Sequence, residues 1–211
     1  SLIGTQAEVQ ISASPEQLKN CKEILQYKCS ESTFDGCLTF VIGENGMDLA
    51  LRYGLPAKQI IKTGNWLGPL LVAAAENGVK KLLLFGYHGK LVKLSGGIFH
   101  THHHLADGRL EILTSLAVRE GISFDLIKLI SQSTTVENAL LALESNNPDD
   151  VALIWGRMAN EIEIKSKSYV NRYLSSSMEI GSVLFDRKRQ IRWAGFKGLK
   201  QINYLGLILK S

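Results

Sequence analysis

Cysteine, proline and long apolar runs are all scarce in this chain of 211 residues. The three cysteines are Cys21, Cys29 and Cys37, and no C-x-x-C pair joins any of them. An odd count at this spacing argues against a disulfide framework and a zinc knuckle, and it favours reduced thiols in a cytoplasmic protein. Apolar runs such as Leu70–Ala75 are far shorter than the roughly 20 residues that span a bilayer, so no membrane partner is expected.

The chain also lacks a strong excess of charge of one sign. It has 24 basic and 20 acidic residues, which gives a net charge of +4. Domains that bind nucleic acid usually carry a dense basic patch, so this mild balance argues against such a partner. It suits an anionic small molecule instead. The 45% of hydrophobic residues is an ordinary globular value, and the length allows one large domain or two small ones.

Apolar strand signals alternate with helical periods through the first half of the chain. This order predicts βαβ units and a mainly parallel sheet, because parallel strands need a crossover between them. Strands that are apolar throughout are typical of a sheet covered on both faces. The predicted elements are a strand at 7–11, a helix capped by Ser14 that runs to Tyr27, a strand at Leu38–Ile42, a helix at Met47–Tyr53, a strand at Gln59–Lys62, a helix at Trp66–Asn77 and a strand at Val79–Tyr87.

Helical signals dominate the middle of the chain, and two strand signals close it. The turn that begins at Asp186 joins these last strands, so a β-hairpin is expected. The whole pattern predicts an α/β fold with a parallel sheet of βαβ units, a helical middle region and a C-terminal β-hairpin. The predicted elements of this half are helices at Ala106–Arg119, Phe124–Ile130, Thr135–Leu143 and Val151–Leu174, and strands at Ile180–Phe185 and Gln190–Ala194.

Small-residue turns follow three of the predicted strands. Ligands of parallel sheets bind beyond the carboxyl ends of the strands, and glycine lets the backbone approach a ligand closely. The turns therefore predict a cofactor site, although none is a G-x-G-x-x-G motif or a P-loop, and each alone is compatible with plain turn chemistry. The cofactor-binding candidates are Gly43, Asn45, Gly46, Thr63, Gly64, Asn65, Gly86, His88 and Gly89.

Four histidines follow the third turn, at His100, His102, His103 and His104. In an extended chain His100, His102 and His104 point the same way, and three such imidazoles could bind zinc. No nearby cysteine completes a ligand set, so we predict no metal site. A functional His102 and a merely structural loop histidine are the two other interpretations.

Charged residues surround the same segment. Asp107 and Glu111 are four residues apart and are expected to share a helix face, whereas Arg109 should point elsewhere. Acidic residues at a helix start also suit the macrodipole, which is the plain alternative. Trp66, Trp155 and Trp193 are expected in the core or at an interface rather than as ring-stacking platforms.

The stretch from Leu82 to Glu111 resembles the most distinctive segment of the CbiD family, the cobalt-precorrin-5B carbon-1 methyltransferases of anaerobic cobalamin synthesis. The residues that carry the resemblance are Gly86, His88, Gly89, Lys90, Leu91, Lys93, Gly97, Ile98, Thr101, His102, Ala106, Asp107, Arg109 and Glu111. The pattern of the family is distinctive at Thr101-His102 rather than at all four histidines.

The resemblance implies methyl transfer from S-adenosylmethionine to carbon 1 of a tetrapyrrole, cobalt-precorrin-5B, which gives cobalt-precorrin-6A. It makes His102 and Asp107 the candidate catalytic residues. Lys90, Lys93 and Arg109 become candidates to bind substrate carboxylates. It also implies that residues 1–211 are the C-terminal α/β part of a longer enzyme, without the N-terminal portion of the family.

Two other functions stay open at this point. The chain could be a module that binds a cofactor or a corrinoid without activity of its own. It could also be a metal-dependent hydrolase that uses the histidine cluster. A homo-oligomer is compatible with the sequence under each of these functions.

Overall fold

The computed structural model describes residues 15–43, 46–102 and 107–205. Its strands are β1 (Cys37–Ile42), β2 (Ile60–Thr63), β3 (Lys81–Tyr87), β4 (Glu179–Phe185) and β5 (Ile191–Ala194). They form one sheet in the order β2-β1-β3-β4-β5. The first four strands are parallel, and β5 pairs with β4 in the antiparallel sense. The predicted parallel sheet and C-terminal hairpin are therefore confirmed.

Helices fill the connections between the strands. They are α1 (Pro15–Ser30), α2 (Met47–Arg52), α3 (Leu67–Glu76), α4 (His88–Ser95), α5 (Arg109–Arg119), α6 (Phe124–Gln132), α7 (Val136–Asn146), α8 (Pro148–Asn171) and α9 (Phe196–Tyr204), and Ala57–Gln59 forms a 3₁₀ turn. Helix α7 begins after Thr135, whose side chain caps it by accepting a hydrogen bond from the Asn138 N–H at 3.1 Å. The helical middle region is confirmed.

Alternate residues of the parallel strands enter two separate cores, one on each face of the sheet. Phe40 and Leu84 pack with α1, α3, α4, α5, α7 and α8. Val41 and Phe85 pack on the other face with α2 and α9. Both faces are thus covered, which explains why the strands are apolar throughout. Trp155 is fully buried in the first core, as expected for a core tryptophan.

The order of the parallel strands creates a switch in winding direction between β1 and β3. From β1 the chain crosses to β2 on one side, and it then returns over β1 to form β3 on the other. The connection through α2 lies on one face of the sheet, and the connection through α3 lies on the opposite face. Such a switch leaves a crevice outside the carboxyl ends of the two central strands, where ligands of open α/β sheets bind.

Two helices were not predicted from the sequence. Helix α4 begins directly after β3, so Lys90 and Lys93 lie on a helix. Helix α9 follows β5, so the hairpin is not the last element. The predicted strand at 7–11 and the cap at Ser14 lie outside the described residues.

The buried carboxylate of Glu163, on α8, binds backbone N–H groups at the start of α9. The Glu163 carboxylate accepts hydrogen bonds from the backbone N–H groups of Ser182, Lys197 and Gly198, at 3.0, 2.9 and 2.8 Å. The last two are orphan donors in the first turn of α9, where a carboxylate is also favoured by the helix dipole. Burial raises the pKa of Glu163 above its ordinary value, although the three donors oppose this shift.

We expect Glu163→Ala to lower the free energy of unfolding by about 3 kcal/mol, because it leaves buried donors without an acceptor. Urea titration followed by circular dichroism measures this change. Glu76→Ala removes a glutamate at the end of α3, away from these donors, and should stay within about 0.5 kcal/mol of the parent. Equal effects of the two substitutions would contradict the capping role of Glu163.

Candidate functional site

A cavity of about 440 Å³ lies at the carboxyl ends of β1, β3 and β4. We call it the switch cavity, because β1 and β3 flank the change in winding direction. Its volume falls within the range of small-molecule sites, which is roughly 300–1,000 Å³. The residues that line it are Ile42, Gly43, Tyr87, Gly89, Lys90, Arg109, Thr135, Val136, Glu137, Phe185, Asp186, Arg187 and Arg189.

Four of the predicted site residues meet in this cavity: Gly43, Gly89, Lys90 and Arg109. Gly43 has a φ of 98°, a conformation that side chains of L-residues rarely adopt. Among the described residues, only the Lys90 stem lies within 4 Å of the place that a Cβ of Gly43 would occupy. Within the part of the chain that the structure describes, little therefore blocks the approach to the backbone at Gly43.

A larger cavity of about 610 Å³ lies between α8, α9 and the beginning of β4. Its lining includes the exposed apolar side chains of Ile164 and Phe196. It lies beside the start of a parallel strand rather than beyond the end of one, and ligands of such sheets bind at the carboxyl ends. Its position at the carboxyl ends of the central strands therefore makes the switch cavity the stronger candidate site.

Arg109 and Asp107 form a bidentate pair at the edge of the switch cavity. Arg109 Nε and Nη2 donate to the two Asp107 oxygens at 2.8 and 2.7 Å. The prediction that Arg109 points away from Asp107 is wrong, because Asp107 precedes α5 and its carboxylate turns back to the helix start. The guanidinium lowers the pKa of Asp107 to about 2, so this carboxylate is a weak base at neutral pH.

His88 is fully buried behind Glu137, which lines the switch cavity. Trp155 donates from Nε1 to His88 Nδ1 at 3.0 Å, so Nδ1 carries no proton. The proton is then on Nε2, which lies 2.9 Å from Glu137 Oε2. Burial lowers the pKa of His88 below its ordinary value, although Glu137 opposes the shift. His88 is therefore a neutral donor that holds Glu137, and its predicted direct contact with a cofactor stays a prediction.

This network predicts an NMR signature for His88. We expect ¹⁵N spectra to report a proton on Nε2 and a bare Nδ1, with no protonation until the pH is well below 6.5. Because folding lowers the pKa of His88, the neutral ring contributes stability at pH values above its unfolded pKa. This contribution is lost as the pH falls from the unfolded pKa through the folded pKa. Trp155→Phe removes the donor to Nδ1 and should mix the tautomers. A His88 ring that titrates near 6.5 in the parent would contradict the network.

Lys93 lies in the interior and is only 1% exposed. Its ammonium donates to the backbone carbonyls of Thr101 and His102, both at 3.3 Å. Burial lowers the pKa of Lys93, and the charge of Asp107 opposes this shift. These hydrogen bonds hold the backbone at Thr101 and His102. Its predicted pairing with substrate carboxylates stays a prediction.

The predicted turn at Thr63–Asn65 packs against α1 and Thr101. Thr63 donates from its hydroxyl to the Val41 carbonyl at 3.2 Å. Asn65 accepts from the Thr101 hydroxyl at 2.9 Å, and its backbone carbonyl accepts from the Thr101 N–H at 3.0 Å. A Cβ on Gly64 would overlap the side chain of Gln17. These residues pack against protein, and their contact with a cofactor stays a prediction.

Two further predicted glycines also face protein atoms. A Cβ on Gly86 would lie 3.1 Å from both the Ile42 carbonyl oxygen and Leu91 Cδ1. A Cβ on Gly46 would lie 2.6 Å from Val41 Cγ1. Close packing therefore favours glycine at both positions, whether or not a ligand approaches them.

His102 is largely buried, and its ring centroid lies 6.4 Å from that of His100. His103, His104 and the predicted cofactor residue Asn45 lie outside the described residues. Within residues 15–43, 46–102 and 107–205, no group of three His, Cys, Asp or Glu side chains could hold a metal ion. The roles predicted for His102 and Asp107 in catalysis stay predictions.

Sequence reasoning missed several residues of the switch cavity. Glu137 and Tyr87 are joined by a hydrogen bond of 3.0 Å, although 50 positions separate them in the chain. Arg187 and Arg189 were visible only as members of the hairpin turn. The feature that could have revealed them is the basic run directly after β4. This run lies at the carboxyl end of a parallel strand, where ligands of such sheets bind.

A doubly wound sheet with a charged cavity at its switch is an arrangement typical of ligand-binding α/β domains. The chain belongs to the CbiD family, and residues 100–195 match the model for "CbiD, C-terminal domain". The resemblance found in the sequence is thereby confirmed.

Curated relatives that match nearly all of the chain carry one name. The chain is 87% identical over 210 residues to "Cobalt-precorrin-5B C(1)-methyltransferase" of Prochlorococcus marinus strain NATL1A, a match that covers 100% of this chain and 55% of that protein. It is 56% identical over 207 residues to the protein of the same name from strain MIT 9313, a match that covers 98% of this chain and 54% of that protein. The chain thus spans about half the length of these curated relatives.

No solved structure matches the chain. None of the helices within the described residues is both long enough and apolar enough to cross a membrane.

Proposed function

We propose that this chain takes part in methyl transfer from S-adenosylmethionine to carbon 1 of cobalt-precorrin-5B, in a cytoplasmic pathway of cobalamin synthesis. The observation that carries the proposal is the 87% identity, over the whole chain, to a protein named cobalt-precorrin-5B C(1)-methyltransferase. The switch cavity is the part of the fold best suited to hold the reactants. As the reacting nucleophile is a carbon of the substrate, no serine or cysteine nucleophile is required.

The chemistry of the switch cavity fits S-adenosylmethionine, which supplies an electrophilic methyl group on a sulfonium. Gly43 offers an open stretch of backbone, and Tyr87 and Phe185 add aromatic surface. Glu137 offers a carboxylate for a cationic group, and Lys90 offers an ammonium for an anionic one. The contribution of the chain is alignment of the methyl group with the ring carbon and exclusion of water.

The basic side chains at the mouth of the cavity suit the carboxylate groups of a tetrapyrrole. Arg109 and Arg189 are both held by aspartates, at Asp107 and Asp48. Such pairs keep each guanidinium oriented at the cavity. We propose Lys90, Arg109, Arg187 and Arg189 as the contacts for substrate carboxylates.

A chimera tests the proposed function, with this chain replacing the matching segment of the NATL1A relative. We expect the chimera to convert cobalt-precorrin-5B and S-adenosylmethionine into a methylated product that mass spectrometry detects. The alternative, a binding module, predicts that the isolated chain binds a ligand but that the chimera does not turn over. A chimera that folds and shows neither binding nor turnover would contradict the proposal.

Arg109→Lys in this chimera should lower kcat/KM about tenfold, because lysine cannot reproduce the bidentate bond to Asp107. Most of the loss should come from a higher KM for the tetrapyrrole if Arg109 binds substrate. Arg119→Lys is the matched control, since Arg119 is partly exposed and pairs with Glu161 outside the cavity. An unchanged kcat/KM in Arg109→Lys would remove Arg109 from the site.

A further inference from the structure

Glu137 brings a buried negative charge to the wall of the switch cavity. Only 8% of the residue is exposed. Its Oε2 accepts from the Tyr87 hydroxyl at 3.0 Å and from His88 Nε2 at 2.9 Å. Two donors that converge on one oxygen are the pattern expected for an ionised carboxylate, which only accepts hydrogen bonds.

Both donors to Glu137 are neutral groups. His88 is held in its neutral form by the Trp155 hydrogen bond to Nδ1. Burial raises the pKa of Tyr87 far above the neutral range, so its hydroxyl keeps its proton. Among the described residues, no lysine or arginine forms a salt bridge with Glu137. The protein thus orients this carboxylate without cancelling its charge, and a buried charge of this kind favours a cationic partner.

Basic side chains lie in the same cavity as this carboxylate. Lys90 and Arg187 both line it, and the charges of Arg187 and Arg109 act on the Tyr87 hydroxyl that donates to Glu137. An acceptor-only carboxylate beside basic side chains matches an α-amino acid zwitterion, in which an ammonium and a carboxylate are attached to one carbon. S-adenosylmethionine carries this group at its methionine end.

We propose that Glu137 binds the α-ammonium of S-adenosylmethionine and that the neighbouring basic side chains bind its α-carboxylate. Tyr87 and His88 act as positioning residues that hold Oε2, which directs the remaining carboxylate oxygen towards the ligand. This inference rests on the proposed function, because it assigns a contact within the same site.

Calorimetric titration of the chain with two ligands tests this contact. S-adenosylhomocysteine contains the zwitterion, whereas 5′-methylthioadenosine has the same nucleoside and sulfur without it. Glu137→Gln keeps the size of the side chain and removes its charge. We expect this variant to bind S-adenosylhomocysteine about tenfold to a hundredfold more weakly, with an unchanged affinity for 5′-methylthioadenosine.

Glu161→Gln provides the matched control. Glu161 is also 8% exposed, but it pairs with Arg119 and Arg157 on the surface of α5 and α8. The Glu161→Gln variant should bind both ligands with the affinity of the parent chain. If a folded Glu137→Gln variant binds S-adenosylhomocysteine as tightly as the parent, the ammonium contact is overturned and the proposed function is not. An equal loss of affinity for both ligands has the same consequence. A parent chain that binds neither ligand would also overturn the proposed cofactor site.

Discussion

Replacing His102 with alanine in the chimera should lower methyltransferase activity about a hundredfold or more, the usual size of an acid–base or positioning effect. His102 is largely buried, and its backbone carbonyl accepts a hydrogen bond from Lys93. The charges of Asp107 and Arg109 both act on Lys93, and Arg109 lines the switch cavity. Lys93 therefore joins the His102 backbone to the neighbourhood of this charged pair.

The matched control is His103→Ala, which should cost little, because the family resemblance centres on Thr101-His102. Steady-state kinetics on folded variants separates this account from the metal alternative. A metal site would need several histidines at once, so either substitution should then abolish activity together with bound metal. Stoichiometric zinc or cobalt in tag-free protein, lost in both variants, would contradict the methyl-transfer account.

Replacing Gly198 with alanine should destabilise the fold by about 3 kcal/mol or more, because added atoms in a packed interior force the backbone to shift. Helix α9 approaches β4 through two glycines that face each other. A Cβ on Gly181 would lie 2.7 Å from the Gly198 backbone nitrogen. A Cβ on Gly198 would overlap the Ser182 carbonyl group. Backbone atoms cannot yield as a flexible side chain can.

Thermal unfolding of the chain measures this effect, and Gly156→Ala is the control. Gly156 lies inside α8, and among the described residues no neighbouring atom lies within 4 Å of the place that its Cβ would occupy. Alanine should therefore stabilise the helix there by up to about 1 kcal/mol. A Gly198→Ala variant that melts at or above the temperature of the parent would disprove the close contact between α9 and β4.

The sheet could be predicted because its signals are local. Strands β1, β2 and β3 are short apolar runs, and the helices between them repeat at helical spacing, so parallel pairing follows from their order. Helix α4 was missed because glycines surround it: Gly89 lies in its first turn, and Gly96 and Gly97 follow its end. Helix α9 was missed because Gly198 lies in its first turn, where only the contact with β4 explains a glycine.

The candidate site was predictable only for residues that follow predicted strands or lie beside the histidines. Gly43, Gly89, Lys90 and Arg109 follow strands or flank the histidines, and all four line the switch cavity. Glu137 lies on the distant helix α7, and only packing of α7 beside α8 brings it to Tyr87 and His88. No spacing in the sequence reports such a contact, because it depends on tertiary packing rather than on local periodicity.

A crystal structure of the chain with S-adenosylhomocysteine would show directly where the cofactor binds. We expect density in the switch cavity, at the carboxyl ends of β1 and β3, with the ligand against Gly43 and its ammonium on Glu137. Density in the 610 Å³ cavity beside Ile164 and Phe196, with an empty switch cavity, would contradict the account.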